Sequence, residues 1–159
     1  MTLAKQKGFS LIELLIVVTI MGILAGIAIP NLLSSRRAAN EASTLASLRT
    51  IHSCEAAYFS TVGNSEYADL PTLAIHTLTD QILGSGTKSG YSFEIHPTNP
   101  GVRPAQFFTT AIPVTPSGLA QSGKRRFGMT EDGILHGDTT LNAHFADHGE
   151  VESAPTLGN

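Results

Sequence analysis

The sequence has little charge, one cysteine and no excess of basic residues, and each shortage excludes a class of protein. Only 14% of its 159 residues are Asp, Glu, Lys or Arg, against roughly 25% in an average soluble domain. Because 13 acidic residues outnumber 10 basic ones, no nucleic-acid partner is predicted. The single Cys54 excludes an intrachain disulfide and a cysteine-based zinc site. A content of 42% hydrophobic residues excludes intrinsic disorder.

The apolar residues are concentrated near the N-terminus. Residues 9–29 contain one ionisable side chain, Glu13. As a helix this run would span about 32 Å, enough to cross a hydrocarbon core of about 30 Å. Lys5 and Lys7 precede the run, and positive charge stays on the cytoplasmic side of a membrane. The expectation is a single membrane span, with residues 1–8 on the cytoplasmic side and everything after Pro30 on the outside.

A conventional secretory signal is the alternative for this run. Residues 26–28 (GIA) weakly resemble a cleavage site, but the run exceeds the 7–15 apolar residues of a typical signal. Glu13 also lies inside the run, where an ionisable side chain costs about 2.5–3.5 kcal/mol on insertion scales. Either Glu13 lies near enough to the interface to reach water, or it has a partner and a function.

The segment GFSLIELLIVV at residues 8–18 resembles the prepilin-type cleavage and methylation motif of type IV pilins and type II secretion pseudopilins. The likeness continues to Pro30 and Asn31. It implies that a prepilin peptidase cuts between Gly8 and Phe9 and removes residues 1–8 as a leader. Phe9 would then be N-methylated, and residues 9–30 would remain as membrane anchor and filament core.

The resemblance also implies assembly roles for Glu13, Gly22 and Pro30. An unpaired buried charge is costly, and Glu13 is the one acid in the run that could neutralise the new amino group of Phe9. In the family, this glutamate meets the amino terminus of an adjacent subunit and sets the axial register. Gly22 and Pro30 fit close helix packing and a proline kink. In the family, the stretch between these two residues can also lose helical order in the filament. That role is compatible with close helix packing and a proline kink.

A second, amphipathic helical segment is predicted over residues 31–62. No glycine or proline interrupts it, and Gly63-Asn64 is a typical stop signal. Together with the anchor it would form one helix over residues 9–62, about 80 Å long. Glu55 lies within its apolar stripe and would bond either a buried backbone group or Tyr91. Glu41 follows Arg37 by one turn, so the two could pair.

The remaining sequence predicts a small antiparallel sheet packed on the amphipathic helix, which makes the fold class α+β. A connection at 63–90 with a short helix around 78–83 is expected to complete a head over residues 63–136. Four strands are predicted in a meander with a turn at Glu131-Asp132-Gly133, at 91–95, 106–112, 126–129 and 134–136. Residues 137–159 are expected to be an exposed acidic tail, with a surface strand as the alternative.

The chain offers no catalytic arrangement, and no enzyme activity, cofactor or metal site is predicted. His144, Asp147 and His148 have spacing that could share a metal on a helix, but without a third ligand they are interpreted as surface histidines. The aspartate-rich calcium loop of many major pseudopilins is not found, which favours a pilin. Cys54 is expected to be a reduced packing residue.

Three functions remain open from the sequence. The first is a structural subunit that forms a homo-oligomeric helical filament, a type IV pilus, built by the pilus assembly machinery at the inner membrane and then extracellular. Adhesion, motility and DNA uptake are not distinguishable. The second is a pseudopilin of a type II secretion system, and the third is a singly anchored periplasmic binding or enzyme domain.

Overall fold

The computed structural model describes residues 8–98 and 104–158 and divides into two compact units, with the boundary between Ser35 and Arg36. The predicted α+β class is confirmed, since one long N-terminal helix is followed by an antiparallel sheet. The elements are α1 (Leu11–Ser60), α2 (Leu70–Ile75), α3 (Gln81–Gly84), β1 (Thr87–Lys88), β2 (Tyr91–Thr98), β3 (Gln106–Pro113), β4 (Arg126–Thr130), β5 (Leu135–Asp138) and α4 (His148–Ser153).

Helix α1 is shorter at both ends than the predicted 9–62. It ends at Ser60 because the chain turns back on itself there: the Gly63 N–H donates to the Tyr58 carbonyl at 2.8 Å. A side chain at Gly63 would collide with the Tyr58 ring and the Glu66 carbonyl, its Cβ lying within 2.7 Å of each. The glycine of the predicted stop signal is therefore required by close approach.

Two short helices follow where the sequence predicted one around 78–83. Asp69 caps α2 by accepting a hydrogen bond from the Thr72 N–H at 3.0 Å, and Asp80 caps α3 through the Leu83 N–H at 2.7 Å. The start of α2 was readable from the sequence, because a capping aspartate followed by a proline in the first turn is typical of a helix start. The prediction missed α2, and it began α3 three residues and ended it one residue too early.

The sheet has five strands in the order β1-β2-β3-β4-β5, all antiparallel. The four predicted strands are present, and the added β1 pairs only with Tyr91 and Ser92. The predicted turn joins β4 to β5: Asp132 Oδ1 accepts from the Thr130 hydroxyl and the Ile134 N–H, and Gly133 has a φ of 76°. The sheet is thus a meander, as expected, with one short edge strand more.

The second unit has its main core between the sheet and the part of α1 from residue 36 onward. Apolar side chains from α1, α2, α3 and alternate strand positions meet there. The largest that are fully buried are Leu48, Ile51, Leu73, Leu83, Tyr91, Phe107, Phe127, Met129 and Leu135. This packing confirms that the head rests on the amphipathic half of the helix.

The opposite face of the sheet is covered by the C-terminal segment, so the expectation of an exposed tail is wrong. Phe145 and Val151 are 2% and 0% exposed, and they pack with Phe108 of β3 in a second, smaller core. Thr156 forms an isolated antiparallel bridge with His136 of β5. Two apolar side chains are too few to produce a periodic signal, which explains why the sequence did not predict this packing.

Candidate assembly site

The N-terminal unit presents an apolar surface that its own chain does not cover. The large apolar side chains from Phe9 to Leu32 are 46–83% exposed. Helix α1 is long and apolar enough to cross a membrane. A continuous exposed apolar surface of this kind marks contact with lipid or with other proteins.

Glu13 has a local role that the sequence analysis did not identify. Its Oε2 accepts a hydrogen bond from the Ser10 N–H at 3.0 Å, and the Leu14 N–H donates to the Ser10 carbonyl. Ser10 and Glu13 thus show one half of the Ser-x-x-Glu capping box, whose spacing was readable from the sequence. The negative carboxylate also lies at the positive end of the helix dipole. This cap explains why α1 begins at Leu11 and not at Phe9.

The other predicted site residues lie apart from Glu13. Gly8 and Phe9 precede the helix, and Phe9 is 76% exposed. Gly22 and Pro30 lie within α1, where the helix is continuous. A Cβ placed on Gly22 or on Gly26 would meet no atom within 4 Å. These two glycines are therefore not required by packing within the chain, and their lack of side chains matters only where another helix approaches.

Glu55 is fully buried in the head and binds a backbone group, the first of its two predicted partners. Its Oε2 accepts from the Ala68 N–H at 3.0 Å, while Oε1 has no hydrogen-bond partner among the described residues. The other predicted partner, Tyr91, instead donates its hydroxyl to the Arg125 carbonyl at 2.9 Å. Burial raises the pKa of Glu55 to about 7, although the Ala68 hydrogen bond opposes the shift.

Cys54 lies beside Glu55 and is 7% exposed. Its thiol donates to the Leu78 carbonyl at 2.9 Å, and burial raises its pKa. A buried thiol with a raised pKa is a weak nucleophile. The geometry agrees with a packing residue that holds the segment after α2 against α1.

Glu41 pairs with Arg125, a residue distant in the sequence. Its Oε2 accepts from the Arg125 guanidinium at 2.9 Å, and its Oε1 accepts from the Lys124 N–H at 2.7 Å. Arg37 donates to Gln121 Oε1 at 3.3 Å. Both contacts tie the loop between β3 and β4 to α1.

Arg126 organises the C-terminal segment, and the sequence analysis did not single it out. Its guanidinium, 5% exposed, forms a two-point pair with Asp138 at 2.9 and 2.8 Å and also binds Glu150 at 2.7 Å. Burial alone would raise the pKa of Asp138, but hydrogen bonds from Arg126 and Thr140 outweigh it and lower that pKa. Both carboxylates belong to the segment that was expected to be an exposed acidic tail.

The same guanidinium also binds the backbone of that segment. It donates to the carbonyls of Ala143 and His144, both at 3.1 Å, and its Cζ lies 3.9 Å from the centre of the Phe145 ring. A stacked, fully hydrogen-bonded arginine fixes several groups at once. Arg126 thus joins β4, β5 and the C-terminal segment without a disulfide.

His144 and His148, whose spacing could share a metal on a helix, do not lie on one helix. Helix α4 begins at His148, so His144 precedes it. His144 Nε2 lies 3.5 Å from Glu94, whereas His148 Nε2 bonds Glu131 at 2.8 Å. Burial lowers the pKa of His144. Within 8–98 and 104–158, no group of three His, Cys, Asp or Glu side chains is arranged to hold a metal.

Known proteins resemble this chain in both its anchor and its head. The prokaryotic N-terminal methylation motif matches residues 3–29. The type IV major pilin protein PilA of Myxococcus xanthus is 27% identical over 154 residues, or 97% of this chain. The chain thus carries the prepilin-type motif and resembles the superfamily of type IV pilins and type II secretion pseudopilins.

Relatives from both branches of this superfamily match. The type IV wide pilus major component PilA4 of Thermus thermophilus is 60% identical over 37 residues, or 23% of this chain and 28% of its own length. The type II secretion system core protein G of Dickeya chrysanthemi is 28% identical over 114 residues, or 72% of this chain. The chain spans 65% of the length of that protein and also of the Myxococcus pilin. No solved structure shows a significant match.

Proposed function

We propose that this chain is the structural subunit of a type IV pilus, which polymerises through its N-terminal helix into a helical filament. The observation that carries the proposal is the uncovered apolar surface of residues 9–32, most of which falls within the matched methylation motif. Packing these helices together would bury the surface that the single chain leaves exposed. The match to a major pilin over 97% of the chain supports the same role for the head.

Processing of the N-terminus is part of this proposal. A prepilin peptidase would remove residues 1–8 by cutting after Gly8, on the cytoplasmic side where Lys5 and Lys7 remain. The exposed, non-helical position of Phe9 supports access to the bond. Residues 9–30 would then anchor the subunit in the inner membrane until the assembly machinery moves it into the pilus.

Glu13 would pair with the amino group of Phe9 in an adjacent subunit. The capping bond from Ser10 uses Oε2 and holds the carboxylate at the start of the helix. When helices assemble in an apolar core, a positive amino group without a partner costs several kcal/mol. Pairing with a carboxylate at a fixed place along the neighbouring helix would therefore select one axial register.

Mass spectrometry of the mature N-terminus in filaments sheared from the cell surface tests processing and location together. We expect an abundant peptide that begins at Phe9 and carries one additional methyl group. The same peptide confined to the membrane fraction would favour a pseudopilin, whose filament is short and periplasmic. A mature chain that starts near Ile29 would mean conventional secretion and would end the filament proposal.

Substitutions at Glu13 and Gly8 separate assembly from processing. Glu13→Ala removes both the charge and the cap, and filament yield should fall at least tenfold while membrane insertion is kept. Glu13→Gln keeps an acceptor for Ser10 but no charge, so an equal loss would show that charge is needed. Gly8→Ala should leave the unprocessed chain in the membrane. Normal filaments from Glu13→Ala cells would contradict the register role.

A pseudopilin of a type II secretion system is the second candidate. The observation that favours it is the match to the core protein G of Dickeya chrysanthemi, which covers 72% of this chain. Deleting the coding sequence separates the two candidates. If the deletion removes surface filaments and protein secretion stays normal, the pilus is supported. If proteins that are normally secreted stay inside the cell, the pseudopilin is supported.

A further inference from the structure

The head contains an apolar groove that nothing in the described chain fills. A cavity of about 280 Å³ lies between the start of α2 and strand β2, and its floor includes Leu70, Pro71, Phe93 and Ile95. This volume lies just below the roughly 300–1,000 Å³ of typical small-molecule pockets. The groove is therefore suited to one or two apolar side chains from another protein surface.

The shortness of β1 keeps this groove open along β2. Strand β1 pairs with Tyr91 and Ser92, and the Phe93 N–H donates to the Gly86 carbonyl at 2.8 Å. Beyond that point, no strand of the part of the chain that the structure describes pairs with β2 on the side away from β3. An incoming side chain can therefore reach the floor from the edge of the sheet.

A different part of the head presents an apolar side chain with no cover. Leu119, in the loop between β3 and β4, is 79% exposed, the highest value among the large apolar side chains of the described head. The loop is nonetheless held in shape. Asn40 of α1 donates to the Ser122 carbonyl at 2.9 Å, and the Ser122 N–H donates to the Thr115 carbonyl at 3.0 Å. Leu119 is thus an apolar projection on an ordered loop.

The charges beside the groove and beside the loop are opposite. Asp69 and Glu94 line the groove with carboxylates, and hydrogen bonds from Thr72 lower the pKa of Asp69. Lys124 follows Leu119 by five residues and is exposed. Its ammonium has no hydrogen-bond partner among the described residues. Complementary charge of this kind fixes the register of two surfaces.

We propose that Leu119 of one copy of this chain occupies the groove of the next copy, with Lys124 facing Asp69 and Glu94. The inference rests on the proposed filament, because an open polymer needs two different and complementary surfaces on each subunit. The groove and the loop are two such surfaces on one head. The contact would join neighbouring heads in addition to the packing of the N-terminal helices.

Disulfide trapping in assembled filaments tests this contact. Leu119→Cys is combined with Ser85→Cys, since Ser85 is an exposed residue at the groove. The matched control combines Leu119→Cys with Ser53→Cys, an exposed position on α1. After mild oxidation of sheared filaments, we expect a ladder of linked subunits from the first pair at least fivefold above the control pair and above wild-type filaments, in which only buried Cys54 is present.

The outcomes separate this contact from the proposed function. Filaments that assemble normally but give no ladder, or an equal ladder from the control pair, would overturn the contact and leave the pilus proposal intact. Wild-type cells without any filament would overturn both. A ladder from unassembled protein in detergent at the same rate would also overturn the contact, because it would show random collision.

A charge variant gives a second, independent measurement. Leu119→Asp should lower filament yield at least tenfold, since a carboxylate would face the acidic groove. The thermal unfolding midpoint of the protein should stay within about 2 °C of wild type, because an exposed side chain contributes little to stability. Val114→Asp, at a 55% exposed residue of the same loop, is the matched control and should leave the yield within twofold. Equal yields from the two variants would overturn the contact.

Discussion

Glu55 is the residue whose burial has the clearest consequence for stability. Its folded-state pKa of about 7 lies above the ordinary value near 4.5, so the folded state disfavours the ionised form. The stability that the protonated carboxyl supports is complete below pH 4.5 and is lost as the pH rises through 7. A neutral side chain at this position would not show that loss.

We therefore expect Glu55→Gln to remove part of the pH dependence of folding. Glutamine keeps an oxygen acceptor for the Ala68 N–H and has no proton to lose. Between pH 4.5 and pH 8, the free energy of unfolding of wild type should therefore fall by about 2 kcal/mol more than that of Glu55→Gln. Urea unfolding at both pH values measures the change. Glu66→Gln, at an exposed position, is the matched control and should give parallel curves. Parallel curves for Glu55→Gln would contradict the burial argument.

Arg126 should be the most sensitive charged residue of the head. Arg126→Met leaves the carboxylates of Asp138 and Glu150 without their partner. Breaking a buried ion pair usually costs about 3–5 kcal/mol of stability. Because these two side chains are 26% and 37% exposed, water offsets part of that cost, and we expect the free energy of unfolding to fall by about 2–4 kcal/mol. Arg125 is 40% exposed and pairs with Glu41, and Arg125→Met should cost less than about 1 kcal/mol. Urea unfolding compares the two, and equal losses would contradict the role of Arg126.

At the scale of elements, the parts of the fold with a repeated local signal were predictable. The second half of helix α1 has the 3.6-residue apolar period, β2 alternates, and the turn at Gly133 has the residues that such turns need. The short β1 has two residues and no period. The C-terminal segment is fixed by Arg126, whose partners lie 12 and 24 residues away. No local pattern encodes contacts of that length, so the segment was predicted wrongly.

The candidate assembly residues were likewise predictable where the sequence carries a local signal and not where contacts depend on the fold. The motif located Gly8, Phe9 and Glu13, and the capping bond between Ser10 and Glu13 followed a spacing that the sequence displays. Their roles toward other subunits stay predictions, because the contacts that would test them are between chains. The groove and Leu119 had no sequence signal, since α2, β2 and the loop after β3 must first be placed in space.

The anchor helix should tolerate bulk at Gly22 in the single chain but not in the filament. A Cβ on Gly22 would meet no atom within 4 Å outside its own stretch of helix, so we expect Gly22→Leu to leave membrane insertion and the unfolding of the head unchanged. In an assembly, small residues let neighbouring helices approach closely, and we expect filament yield to fall at least tenfold by electron microscopy of sheared fractions. Val18→Leu, at a 52% exposed position, is the control. Wild-type yield from Gly22→Leu would exclude close packing at that glycine.

At the scale of the whole molecule, the two units bury their apolar residues in different ways. The second unit has both cores within its own chain, in the clusters around Tyr91 and around Phe145. The first unit has no buried large apolar side chain between Phe9 and Leu32. We therefore expect folding to be separate from assembly, because both cores lie within the second unit whereas the apolar helix of the first unit is left uncovered.

A chain that begins at Arg36 tests this separation. Because the described core residues all lie from Thr44 onward, we expect this chain to be monomeric without detergent and to unfold in one cooperative transition. Size-exclusion chromatography and thermal unfolding measure both properties. The full chain should require detergent, since its uncovered apolar helix is an aggregation site. If the shortened chain aggregates or lacks a cooperative transition, the head depends on the anchor, and monomer folding cannot be separated from filament assembly.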